Sequence, residues 1–230
     1  MLHAAILAGG LATRLRPITD RIPRALVEIN GEPFIAHQLR LLHARGIRRV
    51  VLCLGYLGEM VRQFVGDGRA FDLAVEYSFD GPVLRGTAGA IHQALPLLGS
   101  AFFVLYGDSW LPCDYADVEA AFVQSGKTGL MTVFRNDGQW DSSNVEFAGG
   151  GILAYDKKNR TPRMRYIDYG LGVFKREAFD GLAAGSVYDL AALYQGLLAR
   201  GELSALEMKE RFYEIGSAAG IEELSLALKK

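Results

Sequence analysis

Cysteine is nearly absent from this chain: Cys53 and Cys113 are the two among 230 residues, and neither lies in a CxxC pair or a Cys/His cluster. That spacing excludes a disulfide framework and a cysteine-held zinc, and it predicts two small buried thiols in a reducing compartment. Charge of one sign is missing too. The 25 basic and 26 acidic residues leave a formal net charge of -1, which argues against nucleic acid as the partner, because a phosphate backbone wants a basic face. A single nucleotide needs only a few local donors and is not excluded. No run approaches the roughly 20 apolar residues of a membrane span. The apolar start Met1–Ala8 has no basic region before it and stops at Gly9, about half the length of a signal-peptide core. A cytoplasmic protein with no membrane contact is expected. The four histidines show no spacing suited to a metal site or a triad, and His37 and His43 fall within one predicted helix.

What the chain does have is apolar residues, 50% of the total, enough for a core that needs no staples. In the first half, short apolar runs alternate with helical patterns. His3–Ala8, Val50–Leu54, Leu73–Phe79, Ala101–Tyr106 and Gly129–Phe134 read as strands. Phe34–Arg45, Gly58–Val65, Thr87–Leu98 and Tyr115–Gln124 read as helices. Strands apolar on both faces, alternating with helices, predict a mainly parallel sheet covered on each side, a Rossmann-like α/β/α sandwich. In the second half, Asn144–Ala148, Gly151–Tyr155, Arg165–Asp168 and Gly172–Phe174 read as a small antiparallel addition. A helix at Tyr188–Arg200, a strand at Phe212–Ile215 and a helix at Ala219–Leu228 follow. With no linker, repeat or composition break, residues 1–230 read as one domain, a nucleotide half to about residue 135 and a substrate half from about 136.

Two segments compete as phosphate sites. AFVQSGKT, Ala121–Thr128, fits a relaxed P-loop pattern. A P-loop needs a strand before it and a helix after it, whereas here the order is reversed. The segment reads instead as a helix end at Gly126 with Lys127 on its dipole. The loop Leu7–Arg16 follows a strand. Gly9 and Gly10 allow close backbone approach to a polyanion, Thr13 adds a hydroxyl, and Arg14 adds a bidentate phosphate ligand. It is not GxGxxG, and no acidic residue about 20 positions on stands ready to hold a ribose, so a dinucleotide is disfavoured.

LAGG-x-x-TRLRP, followed by Ile22-Pro23-Arg24-Ala25-Leu26-Val27, resembles the signature of the sugar nucleotidylyltransferase family, LAGGxGTRLxPLT and then PKxLxPV. The resemblance implies an enzyme that joins a nucleoside triphosphate to a sugar 1-phosphate and releases pyrophosphate. It assigns Leu7, Ala8, Gly9, Gly10, Thr13, Arg14 and Arg24 to the nucleotide. Ala12 stands where the pattern has glycine, which implies either that this position avoids positive φ or that the loop is stiffer. Arg24 replaces a lysine, a planar fork in place of a point charge. Leu84–Ala90 resembles the LGTAGA loop, placing Gly86, Thr87 and Ala88 against the base. Tyr106-Gly107-Asp108-Ser109 carries the family's GD aspartate, and Arg211–Ser217 resembles its W-x-D-I/T-G-T element with Glu214 in place of the aspartate. Asp108 and Glu214 are thereby implied as ligands of Mg²⁺, the expected cofactor. On the sugar side the resemblance implies Asn144, Asp168 and Gly170, with Lys157 on the sugar phosphate and Lys158 as the adjacent alternative. Trp140 reads as a lid or core residue in preference to a sugar platform. Arg14, Arg24, Asp108 and Lys157 are the catalytic set.

Within the family, MTVFRNDGQWDSSNVEF, MRYIDYGLGVF and RFYEIGS are most similar to the guanylyltransferases of D-glycero-D-manno-heptose 1-phosphate. GTP and a manno-heptose or mannose 1-phosphate are the expected partners. Uridylyl, cytidylyl or thymidylyl transfer to another sugar 1-phosphate stays open. So does a non-catalytic regulator that binds a nucleotide sugar. The oligomeric state is not legible, and a homodimer is allowed.

Overall fold

A computed structural model describes residues 1–229. Thirteen strands and six α-helices make up the described chain. The strands are β1 His3–Leu7, β2 Glu28–Ile29, β3 Glu32–Pro33, β4 Arg49–Leu54, β5 Ala74–Phe79, β6 Ala101–Tyr106 and β7 Ser109–Trp110, then β8 Gly129–Arg135, β9 Val145–Ala148, β10 Gly151–Tyr155, β11 Tyr166–Lys175, β12 Leu203–Met208 and β13 Tyr213–Glu214. The helices are α1 Phe34–Ala44, α2 Gly58–Val65, α3 Gly86–Ala94, α4 Tyr115–Ser125, α5 Leu190–Ala199 and α6 Ala218–Ala227.

β6, β1, β4 and β5 lie side by side in that order, all parallel. Their residues are buried on both faces because helices cover both. On one side Leu39, Leu42, Val61, Val65, Val118 and Phe122 bring α1, α2 and α4 into one apolar cluster. On the other, Ile91, Ala94, Leu190, Leu193 and Leu197 do the same for α3 and α5. The expected α/β/α sandwich is thus present. A third, smaller cluster joins Leu224 of α6 to Val27, Ile29 and Phe34 around the β2–β3 hairpin.

Past β6 the sheet changes direction. β11 pairs antiparallel with β6 and with β8, and β9–β10 adds an antiparallel hairpin beside it. The two short strands expected at Arg165–Asp168 and Gly172–Phe174 are one strand, β11, whose register shifts between Asp168 and Gly172. The extra residues of such a bulge bend a strand and re-aim its side chains, and here they interrupt the apolar run that marks a strand in sequence. The run at Gly129–Phe134, grouped with the parallel strands, is antiparallel to β11 and parallel to β12. β12 itself has no counterpart in the sequence reading. It is an edge strand that is only partly buried along its length, so it lacks the alternation that a half-buried strand displays.

Helix ends follow local chemistry. Asp114 caps α4 by accepting from the amides of Ala116 (2.8 Å) and Asp117 (3.4 Å), and Gly126 closes it in the left-handed region at φ +66°. That is the helix-end reading of Ala121–Thr128: Lys127 and Thr128 lead straight into β8. Asp189 caps α5 and Ser217 caps α6. α3 stops short of the expected Leu98 because Pro96 forces a 3-10 turn at Leu95–Leu97.

The loop after β1 contains a correction. Ala12 sits at φ +49°, ψ +44°, held there by its carbonyl, which accepts from Thr19 Oγ1 (2.9 Å) and from the Leu15 amide (3.1 Å). Positive φ is therefore retained at the position where the family pattern has glycine, with the Cβ crowding that entails. Ala12→Gly is expected to stabilise the protein by about 1 kcal/mol, relief of that crowding outweighing the added unfolded-state entropy. A rise in melting temperature of roughly 2–4 °C would register it, and a fall would show that the alanine is unstrained.

Candidate active site

Four parallel strands that end at one edge place four following segments side by side. Ala8-Gly9-Gly10 follows β1, Gly55 follows β4, Asp80 follows β5 and Gly107-Asp108 follows β6. Ligands of open α/β sheets bind at this carboxyl edge. The β1 and β4 exits touch: a Cβ on Gly9 would lie 2.8 Å from the Gly55 amide nitrogen, and one on Gly55 would lie 2.7 Å from the Gly9 carbonyl. Gly9 is thus required by packing within the protein, while Gly10 has open space around it.

Beside this crossing lies a cavity of about 170 Å³, lined by Leu7, Gly9, Gly10, Cys53, Leu84 and Ala90 among others. Gly86 and Thr87 contribute to its wall. Gly86 opens α3 at φ +70°, where a Cβ would meet the Tyr188 carbonyl at 2.7 Å. Thr87 Oγ1 accepts from the Leu190 amide (2.7 Å) and donates to Asp189 (3.4 Å), tying α3 to α5. Ala88 does not reach the cavity. It is fully buried, and its amide donates to the Tyr188 carbonyl. Ala8 is outside the wall as well, with its amide paired to the Cys53 carbonyl. Both cysteines are free and buried, as expected, and burial pushes each thiol up to about 12.

A second cavity, about 340 Å³, is walled by Arg14, Arg24, Tyr106, Asp108, Asp141, Asn144, Lys157, Ile167, Asp168, Gly170 and Glu214. Arg24 lines both cavities, and also the groove that Thr13 and Arg14 share with Gly216. It is anchored by an ion pair, Arg24 Nη1 to Asp108 Oδ2 at 2.7 Å, with Asp108 almost buried. Asp108 was expected to serve a metal; in this structure its partner is Arg24.

Glu214 reaches the same cavity from the other end of the sequence. β13 pairs antiparallel with β7, Glu214 opposite Ser109, and the Ile215 amide donates to the Asp108 carbonyl at 2.9 Å. Burial first, then the neighbouring charges of Asp108 and Asp141, push the Glu214 carboxyl up to about 7, against the opposing pull of Arg14. Asp141 went unassigned in the sequence. It sits in a loop with no element pattern, brought inward by Asn136, whose Nδ2 donates to the Asp141 carbonyl (2.6 Å) and to Ser143 Oγ (3.0 Å). Trp140 beside it is a surface residue with the Arg211 guanidinium stacked 3.5 Å from its ring centre, which fits a lid and not a core.

The antiparallel addition supplies the remaining wall. Lys157 Nζ lies 3.4 Å from Tyr106 Oη and 3.7 Å from Asp168 Oδ2, above the Tyr106 ring. Of the two adjacent lysines, Lys157 lines the cavity, while the Lys158 amide caps Asp156 outside it. Asp168 is held on both sides: its amide donates to Asn144 Oδ1 (3.0 Å), Oδ1 accepts from the Gly170 amide (3.1 Å) and Oδ2 accepts from Tyr155 Oη (3.3 Å). Burial first, then the neighbouring Asp168 charge, drives the Tyr155 phenol far above its ordinary range. Tyr106 and Asp80 were missed along with Asp141. Tyr106 reads simply as the end of an apolar strand, and Asp80 as a turn residue.

The structure therefore gathers three cationic side chains, Arg14, Arg24 and Lys157, and four carboxylates, Asp108, Asp141, Asp168 and Glu214, around one cavity. Comparison with known proteins matches this arrangement to one family. The model of the nucleotidyl transferase family matches residues 3–215. The chain belongs to that family. The N-acetylmuramate alpha-1-phosphate uridylyltransferase of Neisseria meningitidis serogroup B is 30% identical over 96% of both chains. Mannose-1-phosphate guanyltransferase beta-A of Xenopus laevis is 26% identical over 94% of this chain, which spans 61% of that longer protein. The crystal structure of HddC from Yersinia pseudotuberculosis complexed with GMP-PN superposes with a TM-score of 0.82, covering 99% of this chain and all of that one, at 22% identity. At that identity the likeness establishes the fold alone. Among the described residues of this nucleotidyl transferase, no helix is long and apolar enough to cross a membrane.

Glu214 makes stability depend on pH. Its folded value, about 7, lies above its ordinary 4.5, so its contribution is complete below the unfolded value and is lost as pH rises through the folded one. Without divalent cation, Glu214→Gln should remove this decline, gaining up to about 3 kcal/mol over the parent at alkaline pH. Urea melts of both proteins across the weakly acidic to weakly alkaline range check this. Parallel curves would show that Glu214 titrates normally.

Proposed function

We propose that this nucleotidyl transferase moves a nucleotidyl group from GTP to D-glycero-D-manno-heptose 1-phosphate, or a closely related manno-heptose or mannose 1-phosphate, releasing pyrophosphate. The observation that supports this reading is that Arg24, paired with Asp108, lines both cavities. The nucleoside occupies the smaller cavity at Leu7, Gly9 and Gly86–Thr87. Its phosphates run past Thr13, Arg14 and Arg24. The sugar phosphate sits in the larger cavity against Lys157, with Asn144, Asp168 and Gly170 at the hydroxyls. Residues 1–135 then serve the nucleotide and 136–230 the sugar within one domain.

The chemistry is an in-line displacement: an oxygen of the sugar phosphate attacks the α-phosphorus, and the bond to pyrophosphate breaks. The nucleophile is already an anion, so no general base is required. The barrier is the approach of two polyanions, and catalysis rests on positioning and on fixed positive charge. Arg24 suits this twice over. One guanidinium nitrogen holds Asp108, and the other donors of the fork remain for phosphate. A lysine ammonium presents no such planar division of labour.

A divalent cation, Mg²⁺ in this proposal, fits Asp108 and Glu214. Both offer hard carboxylate oxygens, and a bound cation would favour the charged form of Glu214, which burial and then the neighbouring anions disfavour. When bound, it supplies further neutralisation of charge at the reacting phosphates. A cytoplasmic setting is part of the proposal, supported by the two free buried thiols.

A second reading has its own support. The Neisseria relative that matches over 96% of both chains is a uridylyltransferase, which favours uridylyl transfer to N-acetylmuramate 1-phosphate. Pyrophosphate release from four nucleoside triphosphates against a panel of sugar 1-phosphates separates the two, and binding without turnover on every combination would mark a regulator. Asp108→Asn is expected to abolish turnover with the fold intact, and near-normal pyrophosphate release would remove Asp108 from the mechanism. Arg24→Ala should lose roughly 10²-fold in kcat/KM, as oriented electrostatic groups do. A loss below about threefold would assign that work to another residue.

A further inference from the structure

The smaller cavity contains a side chain that neither the loop motif nor the transfer mechanism uses. Asp80 follows β5, is 6% exposed, and lines the cavity beside Leu7, Cys53, Leu84 and Ala90. Its backbone is locked in place: its amide donates to the Leu54 carbonyl (2.9 Å), and its own carbonyl accepts from Arg85 Nε (3.0 Å). Arg85 makes no direct guanidinium pair with the carboxylate. Its guanidinium bonds the carbonyls of Asp80 and Gly185, and only its backbone amide reaches Asp80 Oδ2, at 3.2 Å. A buried carboxylate with no ion-pair partner among the described residues is costly unless it receives donors. Carboxylate oxygens have room for about four hydrogen bonds, so one backbone amide leaves most of that capacity open to an occupant of the cavity.

The occupant's chemistry follows from elementary base structure. Guanine presents two adjacent donors on its Watson–Crick edge, N1–H and the N2 amino group, matching the two oxygens of a carboxylate. Uracil and thymine present one N–H between two carbonyls, which an anion repels. Cytosine and adenine present one amino group beside a ring-nitrogen acceptor. We infer that Asp80 is a specificity-determining residue that selects guanine, accepting from N1–H and the N2 amino group while the base lies among Leu7, Cys53, Leu84 and Ala90. This rests on the placement of the nucleoside in the smaller cavity and names its base through a side chain. Donors of this kind also stabilise the charged carboxylate, which burial alone disfavours and shifts upward.

Nucleotide binding by calorimetry, without sugar phosphate, tests the inference apart from turnover. The wild-type chain should bind GTP at least about 10-fold more tightly than ITP, which lacks the N2 amino group, as expected for one hydrogen bond to a charged acceptor. UTP should bind more weakly than ITP. In Asp80→Asn the amide can donate, so xanthine, with a carbonyl at C2, becomes the complementary base, and XTP should bind more tightly than GTP. Asp80→Ala is a second variant, expected to bring GTP and ITP within about twofold of each other. Equal binding of GTP and ITP by the wild type, or the same loss for every nucleotide in Asp80→Asn, overturns the inference. The two readings fail differently. UTP turnover with no preference for guanine leaves a nucleotidyl transferase but removes Asp80 as its selector. A GTP-to-XTP switch with no turnover of any triphosphate sustains Asp80 and removes the catalytic proposal.

Discussion

The ion pair of Arg24 with Asp108 is the joint on which the site turns. Arg24 belongs to a short 3-10 turn after the glycine-rich loop, and Asp108 to the exit of the central strand β6. At 2.7 Å and largely screened from water, the pair ties the segment after the glycine-rich loop to the edge of the sheet. Ion pairs of this kind seldom repay the cost of desolvation in stability, but removing one partner strands the other charge. Their value here is positional. The same guanidinium borders the smaller cavity, the groove beside Thr13 and Arg14, and the larger cavity. In the proposed reaction, a group placed there would meet both reacting polyanions at once.

Around that joint the site accumulates negative charge that the protein alone does not balance. Asp108, Asp141, Asp168 and Glu214 share one cavity with three cations, and burial with these neighbouring charges raises the Glu214 carboxyl to about 7. Two of these groups are fixed by the protein's own hydrogen bonds. Asp168 is bracketed by Asn144, Tyr155 and Gly170, which suits an acceptor that must keep a constant position for hydroxyls. Asp108 is fixed by Arg24. Glu214 has no such partner, so it is the member free to respond to a cation or a proton. The antiparallel β11, bulged between Asp168 and Gly172, is what turns Asp168 and Gly170 toward this cavity while its second half remains in the sheet.

Departures from the family pattern acquire physical meaning only in this setting. Ala12 takes a left-handed backbone, φ +49°, at the position where the pattern has glycine, so the loop carries strain that a glycine would not. Arg24 adds a planar second hand to a charge that the pattern already requires. Glu214 lengthens a carboxylate by one methylene, and the β7–β13 pairing brings that longer side chain to the cavity from a two-stranded ladder.

The parallel sheet, its helical cover and the glycine loop at a strand exit were all legible in the sequence, because apolar periodicity and the order strand, loop, helix are local properties. So were Arg14, Arg24, Asp108, Lys157, Asp168 and Glu214, which lie in recognisable motifs. Three kinds of feature were decided by tertiary structure alone. β12 is an edge strand without alternation, β11 hides its continuity behind a bulge, and the direction of Gly129–Arg135 depends on partners distant in sequence. Asp80 and Asp141 lie in segments where an aspartate is an ordinary turn residue. What makes them more than that is convergence on the cavities, and for Asp80 burial as well, and these arise only when distant segments meet at one edge of the sheet.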